Sequence, residues 1–189
     1  MMWSRGAAIR PVPRYAVISE SLIERIEERA QHDDESSLSA KIAAMRGEQP
    51  HLFDEVQVKT SMRVDDLAKN LLIQMSALLV ELFAMAYPKR VATVTADDLR
   101  AVEQTLDVEE ELRADHPEET FELDDVVGRE QPAVVAFLRR VLESSLEDES
   151  DRDVDLDDVH AAYRRLLGYL LALSYAVEAP AGTAAPLPA

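Results

Sequence analysis

The sequence predicts an all-α fold: a single compact domain of about six helices, in which a three-helix unit occurs twice with pseudo-twofold symmetry. Three observations carry this expectation. Only 5 of the 189 residues are Gly and 5% are aromatic, while Leu, Ala, Glu and Arg abound, a composition that suits helices better than sheets. Two apolar runs, residues 71–87 (LLIQMSALLVELFAMAY) and residues 166–177 (LLGYLLALSYAV), are too long for strands and read as helices buried around most of their circumference. The segments that flank these runs recur in the same order in both halves of the chain.

Residues 1–17 read as an extended basic arm. They carry Arg5, Arg10 and Arg14 without an acid, Pro11 and Pro13 interrupt them, and Trp3 or Tyr15 could pin them to the body. They lack the continuous apolar core of a signal peptide. The first helix is expected at Ser19, with acids in its first turn to complement the helix dipole. Leu22, Ile23, Ile26 and Ala30 form its apolar stripe, and residues 32–37 close it as a polar loop. A second helix begins near Ser37, with Leu38, Ile42 and Met45 at helical spacing. Gly47 and Pro50 break or kink it before Leu52, Phe53 and Val56 resume the pattern. Asp65 and Asp66 then cap the apolar helix, which ends at Pro88.

The pattern starts again at Thr95, where Asp97 and Asp98 stand in a first turn ahead of Leu99, Val102 and Leu106. Residues 107–125 read as an acidic connection in which Pro117 forbids an unbroken helix. Another Glu-Gln-Pro follows at residues 130–132, ahead of the stripe Val134, Val135, Phe137, Leu138, Val141 and Leu142. A link over residues 147–155 leads into the last helix. Residues 179–189 (APAGTAAPLPA) are uncharged, rich in proline, and expected to be a disordered tail.

The internal match has three parts. VISESLIERIEE from Val17 resembles TVTADDLRAVEQ from Thr93, and RGEQPHLF from Arg46 resembles GREQPAVV from Gly128. VDDLAKNLLIQMSALLVELFAMA from Val64 resembles LDDVHAAYRRLLGYLLALSYAVE from Leu156. The offset grows from 76 to 82 to 92 residues, so the second copy has the longer loops. The expected organisation is a first repeat over residues 18–90 and a second over residues 91–178. One copy cannot cover its own most apolar helix, and two copies packed face to face bury both.

Bulk chemistry excludes several functions. A net charge of −17 opposes binding to a phosphate backbone, which needs cations to displace counterions. The absence of cysteine rules out thiolate nucleophiles, disulfides and Cys-based metal sites. Residues 71–87 fall short of the roughly 20 apolar residues of a membrane span and contain Gln74 and Glu81. P-loop, GxGxxG, HExxH, GxSxG and EF-hand patterns are absent from the sequence.

Three features carry candidate chemistry. Glu48-x-x-His51 and Asp157-x-x-His160 have the carboxylate–imidazole spacing of a di-iron bundle, yet Pro50 lies inside the first, and the aligned copies hold Ala133 and Ala68 in place of the histidines. Glu81 interrupts the most apolar helix and shares a stripe with Asn70 and Gln74, where an arginine such as Arg164 or Arg165 would pair with it. It aligns with Leu173, so the shared architecture does not need an acid there. The repeated Glu-Gln-Pro is expected to supply acceptors for backbone groups freed at the break, with a surface notch for a partner peptide as the rival reading.

The function this supports is that of a non-enzymatic, cytoplasmic, helical protein-binding scaffold, adaptor or regulator. It assigns no catalytic residue, cofactor or metal. The expected partner is a protein, with homo-oligomer formation through the basic arm as one form of it, and neither nucleic acid nor membrane is expected to be bound directly. Two other classes compete: a metal-dependent helical-bundle enzyme using Glu48, His51, Glu81 and His160, and an acidic inhibitor that mimics nucleic acid.

Overall fold

Eight helices account for most of the computed structural model, which describes residues 9–30, 35–114, 123–149 and 153–181. They are α1 (Glu20–Ala30), α2 (Glu35–Glu48), α3 (Pro50–Ser61), α4 (Asp66–Ala86), α5 (Ala96–Ala114), α6 (Leu123–Glu130), α7 (Pro132–Asp148) and α8 (Leu156–Tyr175). The all-α, one-body expectation holds. The number is eight among the described residues, rather than about six, because each Glu-Gln-Pro ends one helix and starts another. Proline makes both breaks: Pro50 and Pro132 occupy first-turn positions of α3 and α7, where the missing N–H costs nothing. Gly47 and Gly128 lie within α2 and α6 and take no part in the break.

At the centre α4 and α8 lie side by side and point the same way. Their first turns touch, since the Asp65 N–H donates to the Asp158 carboxylate (2.7 Å) and the Asp155 N–H to that of Asp65 (3.4 Å). Beyond their last turns the connectors pair antiparallel. Ala92 N–H donates to the Ala176 carbonyl, Glu178 N–H donates to that of Arg90, and Val91 and Val177 form an isolated bridge. Leu79, Leu82, Phe83, Leu166, Leu170 and Leu173 are buried between the helices and their neighbours, each contributing about 1.5–3 kcal/mol relative to exposure. α4 is longer than its apolar run, because Asp65 starts it a turn and a half early. Its 21 residues and hydropathy would suit a membrane span, yet here α8 and α2 cover it.

The remaining helices pack both within the halves and across them. α2 packs on α4 and α5 on α8, while α1 lies on α7 and α3 on α5. Caps fix where helices begin. Asp65 accepts from Leu67 N–H (2.8 Å), and Asp155 accepts from Asp157 and Asp158 N–H. Thr95 and Asp98 form a reciprocal box, in which Thr95 Oγ1 accepts from Asp98 N–H while Asp98 Oδ2 accepts from Thr95 N–H.

The two Glu-Gln-Pro junctions cross-link the halves. Gln49 (φ −133°, ψ 64°) and Gln131 (φ −136°, ψ 65°) adopt the same backbone conformation, and both side chains are buried. Gln49 Oε1 accepts from Val94 N–H (2.8 Å) and its Nε2 donates to the Ala92 carbonyl (3.1 Å). Gln131 Oε1 accepts from Ile18 N–H (3.0 Å) and its Nε2 donates to the Ala16 carbonyl (2.7 Å) and to Ser174 Oγ (2.8 Å). Each glutamine therefore grips the two backbone groups of a residue pair entering the first helix of the opposite half. Neither caps its own helix, which corrects the expectation of a local role. The notch does recognise extended backbone, and the protein's own chain fills it.

Four further expectations are corrected. Of the predicted arm, residues 9–17 are folded against the body. Ile9, Val12 and Ala16 are buried, a 3-10 turn spans Arg14–Ala16, Val12 N–H donates to Glu130 Oε2, and Arg10 stacks on Tyr175. Trp3 and Arg5 lie outside the described residues. The acidic stretch after Asp107 continues α5 as far as Ala114, because Leu106 and Glu109 still face inward, and Pro117 lies outside the described residues. α7 likewise runs on to Asp148, and α2 starts at Glu35, inside the expected loop. Within the expected tail, residues 182–189 lie outside the described residues.

Candidate functional site

The side-by-side start of α4 and α8 gives the bundle an end of distinctive chemistry. A helix N-terminus prefers acids, and here two such termini are adjacent. Asp65, Asp66, Asp155, Asp157 and Asp158 are thereby gathered at one place, with Asp66, Asp155 and Asp157 exposed. Apolar side chains stand beside them. Leu156, the first residue of α8, is 52% exposed and Met62, just before α4, is 59% exposed. Val58 lies one turn before the end of α3. Val108 and Leu112 lie in the second half of α5, which runs opposite to α8 and is tied to it where Arg164 bonds Asp107 and Glu110 (2.5 and 2.8 Å). Five of the six large apolar side chains exposed among the described residues thus occur toward this end; Val17 is the sixth.

The electrostatics of this end are held by the same contacts. Burial alone would lower the Arg164 guanidinium, but the hydrogen bonds and charges of Glu110 and Asp107 outweigh it and hold the group above its ordinary value. Arg164 is therefore a fixed cation that locks α5 to α8. It is not the partner of Glu81.

Glu81 is met from its own half. Lys41 Nζ of α2 lies 2.9 Å from Oε2 and Arg29 Nη2 of α1 lies 3.5 Å from Oε1. Asn70 and Gln74 of the same stripe are exposed, so the stripe leads from solvent to a half-buried ion pair. Glu48 and His51 are exposed on either side of the α2–α3 break. His160 opens on a different cleft, between α5, α7 and α8. The four residues considered for a metal are not brought together, and no group of three or more His, Asp or Glu among the described residues is placed to hold an ion.

A cavity of about 220 Å³ between α3, α5 and α8 was not foreseen from the sequence. His51, Glu55, Glu103, Arg165 and Tyr169 contribute to its wall. Its legible signal was the i, i+4 pair Arg165 and Tyr169 in the otherwise apolar middle of α8. No protein-family model, curated protein or solved structure matches the chain.

Proposed function

We propose that the protein is a non-enzymatic helical scaffold, adaptor or regulator that binds a basic protein partner across the end where α4 and α8 begin. The observation that carries this reading is the exposed apolar set Val58, Met62, Val108, Leu112 and Leu156 at an end that also gathers Asp66, Asp155 and Asp157. Exposed apolar area edged by charge is the pattern of protein-binding surfaces. The charge sign favours a basic partner, and a net charge of −17 opposes close approach of a second copy.

The same reading takes the chain as a duplicated unit, one copy supplying α1–α4 and the other α5–α8. In support, the two Gln junctions share their backbone angles and grip each other's entry segments. Parallel central helices with antiparallel connectors are also what a twofold axis running between α4 and α8 requires. Duplication would give the partner-binding end a pair of adjacent helix starts, capped by Asp65 and Asp155.

The test compares proteins that co-purify with the wild-type chain and with a Met62→Lys/Leu156→Lys variant. Both substituted side chains are exposed, so the variant should melt within a degree or two of wild type. The expected result is one basic partner retained by wild type, lost by the variant, and released by raised salt. Equal retention by the variant, or retention indifferent to salt, would contradict the reading.

A further inference from the structure

A cleft of about 560 Å³ opens between the first half of α5 and the end of α8, at the end of the bundle away from the paired helix starts. Val102 and Ala172, both buried, and half-buried Tyr175 give it an apolar floor, and exposed Ala101 stands in its wall. Its volume lies within the range of pockets that enclose a bound molecule, about 300–1,000 Å³. The charged side chains that line it are Arg10, Asp98 and Glu178, all exposed, so acids outnumber cations at its rim.

The chain enters the described structure beside this cleft. The Tyr175 hydroxyl donates to the Arg10 carbonyl (2.5 Å), and the Arg10 guanidinium lies 4.2 Å from the centre of the Tyr175 ring. The backbone is thus pinned to the cleft at residue 10, and the segment that precedes it reads MMWSRGAA over residues 1–8. The chemistry of that segment complements the cleft. Trp3 brings a large aromatic ring, whose burial removes ~150–250 Å² from water, to an apolar floor. Arg5 brings a second cation to a rim that holds two acids and one cation. Seven residues separate Trp3 from Arg10, a reach of about 23–25 Å when extended, and Gly6 allows the turn back toward the cleft.

Two other occupants fit less well. Residues 182–189 (GTAAPLPA) have neither a charge for the rim nor an aromatic ring for the floor. A second copy of the chain approaches against a net charge of −17, and it competes with a tethered segment present at millimolar effective concentration. We propose that this cleft is the docking site of the protein's own N-terminal segment, residues 1–8, which lays the Trp3 ring on Ala101, Val102 and Tyr175 and sets Arg5 against Asp98 and Glu178. The site lies apart from the end proposed to bind a partner and does not depend on that reading.

Trp3 is the single tryptophan of the chain, so tryptophan fluorescence of the full chain reports on this contact alone. The experiment records its emission wavelength and its quenching by acrylamide, with the urea-unfolded chain as the exposed reference. The expected result is emission at shorter wavelength and a quenching constant several-fold below the reference, both unchanged over a hundredfold dilution. Ala101→Arg adds bulk and like charge at an exposed position of the wall. It should return both readings to the reference while the melting temperature stays within a degree or two of wild type. Arg5→Glu should move the quenching constant in the same direction by a smaller step. Because the chain has no cysteine, a nitroxide on Thr93→Cys, an exposed residue lining the cleft, locates the ring. That label should quench Trp3, and the same label on Met62→Cys, toward the other end of the bundle, should not. Wild-type readings equal to the reference, indifference of Trp3 to Ala101→Arg, or equal quenching by the two labels would overturn the proposal. Exposure of Trp3 on dilution would overturn it in favour of a second copy.

Discussion

Gln131 and Gln49 hold the same backbone conformation and grip the same two backbone groups, but the protein closes over them to different degrees. Gln131 is wholly buried and has a third partner, Ser174, which itself donates to the Leu170 carbonyl (2.7 Å). Gln49 has two partners, and its bond to Ala92 is part-buried. Among the described residues no side chain gives Gln49 a third bond of this kind. The lesson concerns what a side-chain amide can replace. An extended segment entering a helix carries an N–H and a carbonyl that no neighbouring strand satisfies. A glutamine presenting one acceptor and one donor fits both groups at once. Burial then decides how much each junction is worth.

The comparison breaks most visibly at Gln131. Gln131→Ala strands a buried N–H on Ile18 and a buried carbonyl on Ala16, and should lower stability by about 3–5 kcal/mol in urea denaturation. Gln49→Ala should cost less, about 2–3 kcal/mol, because water can reach the Ala92 carbonyl. Equal costs would mean that burial does not separate the two.

Next in size is the entry to α5, just beyond the Gln49 clasp. Asp98 is exposed, and its hydrogen bonds from Thr95, side chain first and backbone second, hold its carboxyl below the usual range. A group depressed on folding adds stability above its unfolded pKa, near 3.9, and loses it as pH falls through the depressed folded value. Asp98→Asn should therefore cost about 1 kcal/mol at neutral pH, through loss of the charge-assisted half of the box at the helix start. That difference should shrink toward zero in acid, as a pH series of thermal melts would show. The smallest effect belongs to Gly47, which has open space around its Cα. Gly47→Ala should raise stability by about 0.5–1 kcal/mol through helix propensity alone, measurable by the same urea titration. A loss would instead restore a role for glycine in the break.

Much of the fold was legible from one-dimensional signals. Asp65 and Thr95 marked helix starts because a cap is a contact within one turn, whereas Asp155, the cap of α8, was read as part of a link. The two apolar runs marked the core because burial on several faces leaves a compositional trace. Contacts between distant elements leave none. Glu81 was expected to face an arginine of α8 and instead meets Lys41 and Arg29, since periodicity shows that a face is covered without naming what covers it. Gln49 and Gln131 stood out by repetition, but their hydrogen bonds span 45 and 113 residues, and only the fold discloses them. The long α5 was hidden by its own charges, because an acidic helix face and an acidic loop have the same composition. The end proposed to bind a partner was invisible for a related reason. Val58, Met62, Val108, Leu112 and Leu156 come from three parts of the chain, and none is unusual alone.

The central claim is that each half is closed by a glutamine from the other, and amide hydrogen exchange at two positions tests it most directly. Ile18 and Val94 precede their helices, so an ordinary loop would leave both amides to exchange within the first time points. The account predicts protection approaching that of the α4 and α8 interiors at both amides. It further predicts that Gln131→Ala releases Ile18 and leaves Val94 protected, while Gln49→Ala does the reverse. Fast exchange at both amides in the wild-type protein, or release of both by either substitution, would contradict it.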